Sequence, residues 1–159
     1  MLCLIYVSSA TRELMTRDGL ADLMRTCRAN NEAAGVTGLL LYAGGNIMQV
    51  LEGDRDAVET LYDKIGRDPR HKHPTRMIDF GIKERQFADW SMALCDIGDL
   101  PPAEQARCRS LMASWGHEAD PAGFRDELAI LLDAFREVMR VPRRGALGGP
   151  GRILRPELP

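Results

Sequence analysis

The sequence lacks most features that would announce a function directly. No apolar run approaches the roughly 18 residues that cross a bilayer, and no basic segment precedes the opening Met1-Leu2-Cys3-Leu4-Ile5-Tyr6-Val7. We therefore expect neither a membrane span nor a signal peptide, and a cytoplasmic location. Charge of one sign is also missing. The 21 basic and 23 acidic residues leave a net charge of −2, which offers a polyanion no general attraction and disfavours nucleic acid as a partner. No CxxC pair exists. Cys3, Cys27, Cys95 and Cys108 are scattered and read as small buried hydrophobes in a reducing compartment, not as a disulfide or zinc framework. His71 and His73 alternate without an acidic or cysteine partner to complete a metal set, so no metal site is expected. Internal repeats are absent, and the Ser8–Arg12 loop lacks a glycine-rich phosphate cradle.

What is present is an ordinary globular composition, 45% hydrophobic and 28% charged over 159 residues, enough for one domain with a real core. Residues 2–8 alternate as a strand, with Leu2, Leu4 and Tyr6 on one face. Asp18 can cap a helix with the stripe Leu20, Leu23, Met24 and Cys27, ending near Asn30-Asn31 with Gly35 closing the connection. Strands over 36–42 and 47–52 flank the turn Ala43-Gly44-Gly45. Asp54 caps a second helix carrying Val58, Leu61, Tyr62 and Ile65, which stops before Asp68-Pro69. Arg70 to His73 read as a polar loop, Arg76 to Lys83 as a fourth strand, and Phe87 to Leu94 as a turn and fifth strand with Trp90, Met92 and Leu94 on one face.

The order βαββαβ plus one strand predicts an α+β fold, the ferredoxin-like split βαβ with an additional fifth strand and two helices on one sheet face. Strands apolar on both sides need a second cover. Helices over 101–115 and from Asp120-Pro121 to Val138 are expected to pair on the other face. The Pro/Gly-rich residues after Arg140 read as a flexible tail. The expected divisions are 1–97, 98–140 and 141–159.

One stretch demands an explanation: Asn46-Ile47-Met48-Gln49-Val50-Leu51-Glu52-Gly53. Apolar neighbours on both sides bury the Gln49 amide, and a buried amide without partners costs about 1–3 kcal/mol. The first and third strands are neighbours in the expected sheet, so Tyr6 and Gln49 can meet on the face the two helices cover. Asn31 can approach the same region. A phenol and two amides around one space suit a planar heterocycle with ring nitrogens and carbonyls; a tyrosine–glutamine hydrogen bond inside a core is the plainer reading of the same residues.

Six segments in order resemble the BLUF domain, a blue-light sensor that uses a flavin. They are Leu4-Ile5-Tyr6-Val7-Ser8-Ser9-Ala10, Asn30-Asn31, the run from Gly35 to Tyr42, Met48 to Gly53, Arg67-Asp68-Pro69-Arg70-His71, and Arg85 to Met92. The resemblance covers residues 2 to about 95. It implies that Tyr6 gives an electron, coupled to a proton, to the excited flavin, and that Gln49 changes its hydrogen bonds in response. It implies flavin contacts from Asn31 and Asn30, and from Asp68, Arg70 and His71 near the ribityl-phosphate part. Trp90 and Met92 match the pair that carries the signal outward. FAD is the implied cofactor, with FMN or riboflavin open. Relatives often have arginine after the tyrosine; here it is Val7, which alternation turns away from Tyr6. With no enzyme segment expected after residue 95, output falls to an unidentified protein partner or the chain's own oligomer, without substrate turnover. The alternatives are an acylphosphatase-type ferredoxin-like enzyme and a light-insensitive interaction module.

Overall fold

The computed structural model describes residues 1–12 and 16–113. The described residues fall into two compact units, one up to Cys95 and the other from Asp96 onward. In the first unit the elements are β1 (Leu2–Ala10), α1 (Arg17–Ala34), β2 (Thr37–Ala43), β3 (Asn46–Gly53), α2 (Arg55–Gly66), β4 (His71–Gly81) and the first residues of β5 (Ala93–Asp96). The sheet order is β4-β1-β3-β2-β5. β1 pairs antiparallel with β3 and β4, and β2 pairs antiparallel with β3. This is the expected ferredoxin-like arrangement with its fifth strand beyond β2.

Sequence periodicity dictates which side faces the helices. Leu2, Leu4 and Tyr6 of β1, Leu40 of β2 and Ile47 and Leu51 of β3 join Leu23 and Met24 of α1 and Val58 and Leu61 of α2 in one buried cluster. Residues one step out of phase, Cys3, Ile5, Leu39, Leu41, Met48 and Val50, are buried as well. The strands are thus apolar on both faces, as their unbroken hydrophobic runs require. α2 begins at the expected cap, with Asp54 accepting from the Asp56 N–H at 3.0 Å.

Several boundaries differ from the sequence reading. α1 is capped by Thr16, whose hydroxyl accepts from the Gly19 N–H at 3.0 Å, rather than by Asp18. It runs past Asn30-Asn31 to Ala34, where Gly35 closes it at φ 63°. The polar loop expected from Arg70 to His73 is instead strand from His71 onward. β4 is an edge strand, so polar side chains and Pro74 are tolerated on it. It pairs His71 with Ala10 and Lys72 with Ser9, and an irregularity between Val7 and Ser9 absorbs the positive φ of His73. β5 starts at Ala93, so Trp90 and Met92 precede it.

In the second unit, Asp96 caps a 3₁₀ turn (Ile97–Asp99) ahead of α3 (Pro102–Ala113). Gln105 Nε2 donates to the Leu100 carbonyl at 2.8 Å, tying the turn to that helix. The helix expected from Asp120-Pro121 and the tail from 141 lie outside the described residues, and the packing of a C-terminal helical pair on the sheet rests on them.

Candidate functional site

The register of β1 and β3 places Tyr6 directly opposite Gln49. Both side chains point to the helix-covered face, and both are essentially inaccessible to solvent. The Tyr6 hydroxyl donates to Gln49 Oε1. Burial pushes the phenol's pKa well above its ordinary value, with Cys27, Tyr62 and Asp68 adding in the same direction. Tyr6 therefore stays protonated and keeps a proton to donate, which it directs to the amide oxygen. The amide oxygen turns to it, and Gln49 Nε2 faces Met92 Sδ at 3.4 Å. A thioether is a weak acceptor for a nitrogen carrying two protons. One end of the buried amide is well satisfied and the other is not.

Asn31, in the last turn of α1, is buried and donates from Nδ2 to the Ser91 carbonyl at 2.7 Å. One turn earlier on the same face, Arg28 Nε donates to the Met92 carbonyl at 3.1 Å. Asn31, Gln49 and the segment before β5 are thereby brought together. Of the fifth-strand pair, Met92 is the inward residue. Trp90 is half-buried, its ring stacked on Phe87 at 6.2 Å between centroids. Asn30 is exposed.

On the other side of Tyr6 the edge of Tyr62 lies 5.4 Å away and His71 6.3 Å away, both between ring centroids. His71 Nδ1 and the Ser8 hydroxyl share a hydrogen bond of 2.9 Å. Burial draws the imidazole's pKa below its ordinary value, Asp68 opposes this and Arg70 reinforces it. Arg70 grips Asp68 through Nε and Nη2, at 2.6 Å for the closest pair, and those bonds hold the carboxyl's pKa down. The basic loop of the sequence reading is thus an ordered corner where α2 passes into β4.

This donor set fits a flavin. Gln49 and Asn31 offer amide donors and acceptors beside an oxidisable phenol, and the Gln49 nitrogen holds only a thioether. Thr11 Oγ1 is the one buried side-chain polar atom without a partner among the described residues. It adjoins the Arg70 corner, where the Thr11 N–H donates to the Arg70 carbonyl at 3.1 Å. Sequence reasoning missed Arg28 and the bond of Ser8 to His71; it placed Tyr62 on the apolar stripe of α2 without pairing it with Tyr6. Arg28 stands three residues before Asn31, a spacing that placed both on one helix face.

A sequence model of the family described as sensors of blue-light using FAD matches residues 1–93. The chain belongs to the BLUF family. Among curated relatives, photoactivated adenylate cyclase subunit beta of Euglena longa is 42% identical over 90 residues, covering 56% of this chain and 10% of that protein. Subunit alpha of Euglena gracilis is 40% identical over 87 residues, covering 55% and 8%. This chain therefore corresponds to about a tenth of the length of those relatives. The dark-state structure of the BLUF protein BlrB matches with a TM-score of 0.64 at 30% identity, over 84% of this chain and 96% of that one. The photo-activated state of BlsA matches in fold with a TM-score of 0.67 at 24% identity, over 91% and 99%. The BLUF family senses blue light with a flavin, and its relatives include domains joined to cyclases. No helix among the described residues is long and apolar enough to cross a membrane.

Proposed function

We propose that this BLUF chain is a light-driven hydrogen-bond switch, with Tyr6 as electron and proton donor and Gln49 as the rearranging amide. The observation that carries the reading is the buried chain Tyr6–Gln49–Met92, well bonded at one end of the amide and poorly at the other. A bound flavin supplies the absorption of blue light and accepts an electron once excited. Tyr6, kept neutral by burial, directs its own hydroxyl proton at the Gln49 oxygen and can release it along that bond when it gives up an electron. Turning the Gln49 amide exchanges its donor and acceptor ends. Each exchanged hydrogen bond is worth on the order of 1 kcal/mol, which suits a state that forms in light and reverts in darkness.

Asn31 holds the carbonyl edge of the ring system. Asp68, Arg70 and His71 lie towards the ribityl-phosphate part, with Asp68 orienting Arg70. Asn30 extends the Asn31 contact at the rim, and Trp90 with Met92 passes the change to the segment before β5. FAD is the cofactor, FMN or riboflavin being substitutes the ring contacts accept equally. The chain turns over no substrate, works in the cytoplasm, and signals through a protein partner or a second copy of itself.

The test is an absorption spectrum of the purified protein, supplied with FAD, before and just after blue illumination. A flavin band that shifts slightly to the red and relaxes in darkness is expected. A protein that takes up no flavin, or a flavin spectrum indifferent to light, overturns the reading.

A further inference from the structure

Three successive carbonyls precede β5, where no sheet ladder satisfies them. The Trp90 carbonyl accepts from the Gly38 N–H of β2 at 3.1 Å. The Ser91 carbonyl accepts from Asn31 and the Met92 carbonyl from Arg28 Nε, at 2.7 and 3.1 Å. Buried backbone acceptors need partners, and here two of three come from side chains of a single turn of α1. The consequence falls on the Met92 side chain. Methionine is unbranched and adaptable, so its own rotamers place its sulfur poorly. With its backbone held, Met92 is buried with Sδ against the Gln49 amide nitrogen. Gly38 leaves room for this. A Cβ there would stand 3.4 Å from Met92 Cε and 1.9 Å from the Val50 carbonyl oxygen.

We propose that Arg28 is a positioning residue for Gln49: by holding the Met92 carbonyl it sets the sulfur against the amide and so biases which way the amide turns. The assignment rests on the light-switch reading for its consequence, though not for the contact itself. Asn31 shares the clamp but is also assigned to the cofactor. Arg28 is the α1 side chain that bonds the carbonyl of Met92 itself. Loss of that anchor frees the sulfur and weakens the contact that restores the dark orientation.

Two substitutions separate hydrogen bonding from bulk and charge. Arg28→Gln places an amide nitrogen at the same point along the side chain as Arg Nε and can donate to the Met92 carbonyl. Arg28→Met keeps length and donates nothing. The full chain, with and without added FAD, is observed through the Met92 ε-methyl and Gln49 side-chain amide resonances and, when loaded, through the dark-recovery rate. Arg28→Met is expected to move both resonances and to slow recovery about five-fold, the effect of losing one hydrogen bond. Arg28→Gln is expected to restore the parent values. Resonances unmoved in Arg28→Met, or an Arg28→Gln protein that folds yet matches Arg28→Met, overturns the proposal. A parent chain without a light-induced shift defeats the switch reading separately, while the resonances still decide whether Arg28 sets Met92 and Gln49.

Discussion

At the scale of single residues, the Gln49 amide is set by what surrounds it more than by its own chemistry. Its oxygen faces a phenol that burial keeps protonated, and its nitrogen faces sulfur. Gln49→Leu has similar volume but no amide to turn. It should still take up flavin, through Asn31 and the Arg70 corner, and lose the reversible red shift entirely in difference spectroscopy. His71 offers a test by pH. Its ordinary pKa is 6.5 and burial lowers it in the fold. Above 6.5 the ring is neutral folded or unfolded; as pH falls through that value the unfolded chain binds the proton first. Stability present above 6.5 is therefore lost progressively until the lower folded pKa is reached. Urea unfolding midpoints should decline as pH falls below that value. His71→Gln, which does not titrate and can keep a bond to Ser8, should flatten the decline; an unchanged decline would assign it to other groups.

At the scale of elements, local rules and close packing each govern a piece. The Asp54 cap is local, and Asp54→Ala should cost about 1 kcal/mol of unfolding free energy by loss of one bond to the first turn of α2. Gly38 is a packing constraint. Its missing Cβ would collide with the Val50 carbonyl of the neighbouring strand. Gly38→Ala should cost about 3 kcal/mol or more, since backbone rather than a flexible side chain must yield. Denaturant titration distinguishes the two, and equal small effects would mean that β2 can shift away from β3. The elements legible in advance were those whose signals are local: the Asp54 cap, the Gly44-Gly45 turn and the alternation of β1 and β3. β4 was misread at its start because the polar run His71-Lys72-His73 becomes strand only by pairing with Ser9 and Ala10, some sixty residues earlier.

At the scale of the molecule, sensing and output are proposed to divide along the chain. The family match ends at residue 93 and the first compact unit contains Met1–Cys95. Truncation after Asp99 should leave flavin uptake and the red shift in place while abolishing light-dependent association with a partner, read by pull-down in light and darkness. Association that survives truncation would place the output surface on the sensing unit itself.

The sequence by itself determined the strand–helix order and the apolar strand faces, because alternation and caps are written into neighbouring residues; it allowed Tyr6 and Gln49 to meet, and the register of β1 and β3 decided that they do. The family signature pointed to flavin and light for the same reason: its segments are short and contiguous. Only the tertiary structure decided that Met92 rather than Trp90 meets the glutamine, that Asn30 faces solvent while Asn31 is buried, and that Arg28 reaches a carbonyl 64 residues further on. Those outcomes depend on how a helix, a loop and a strand edge meet in space, and no periodicity along the chain encodes that meeting.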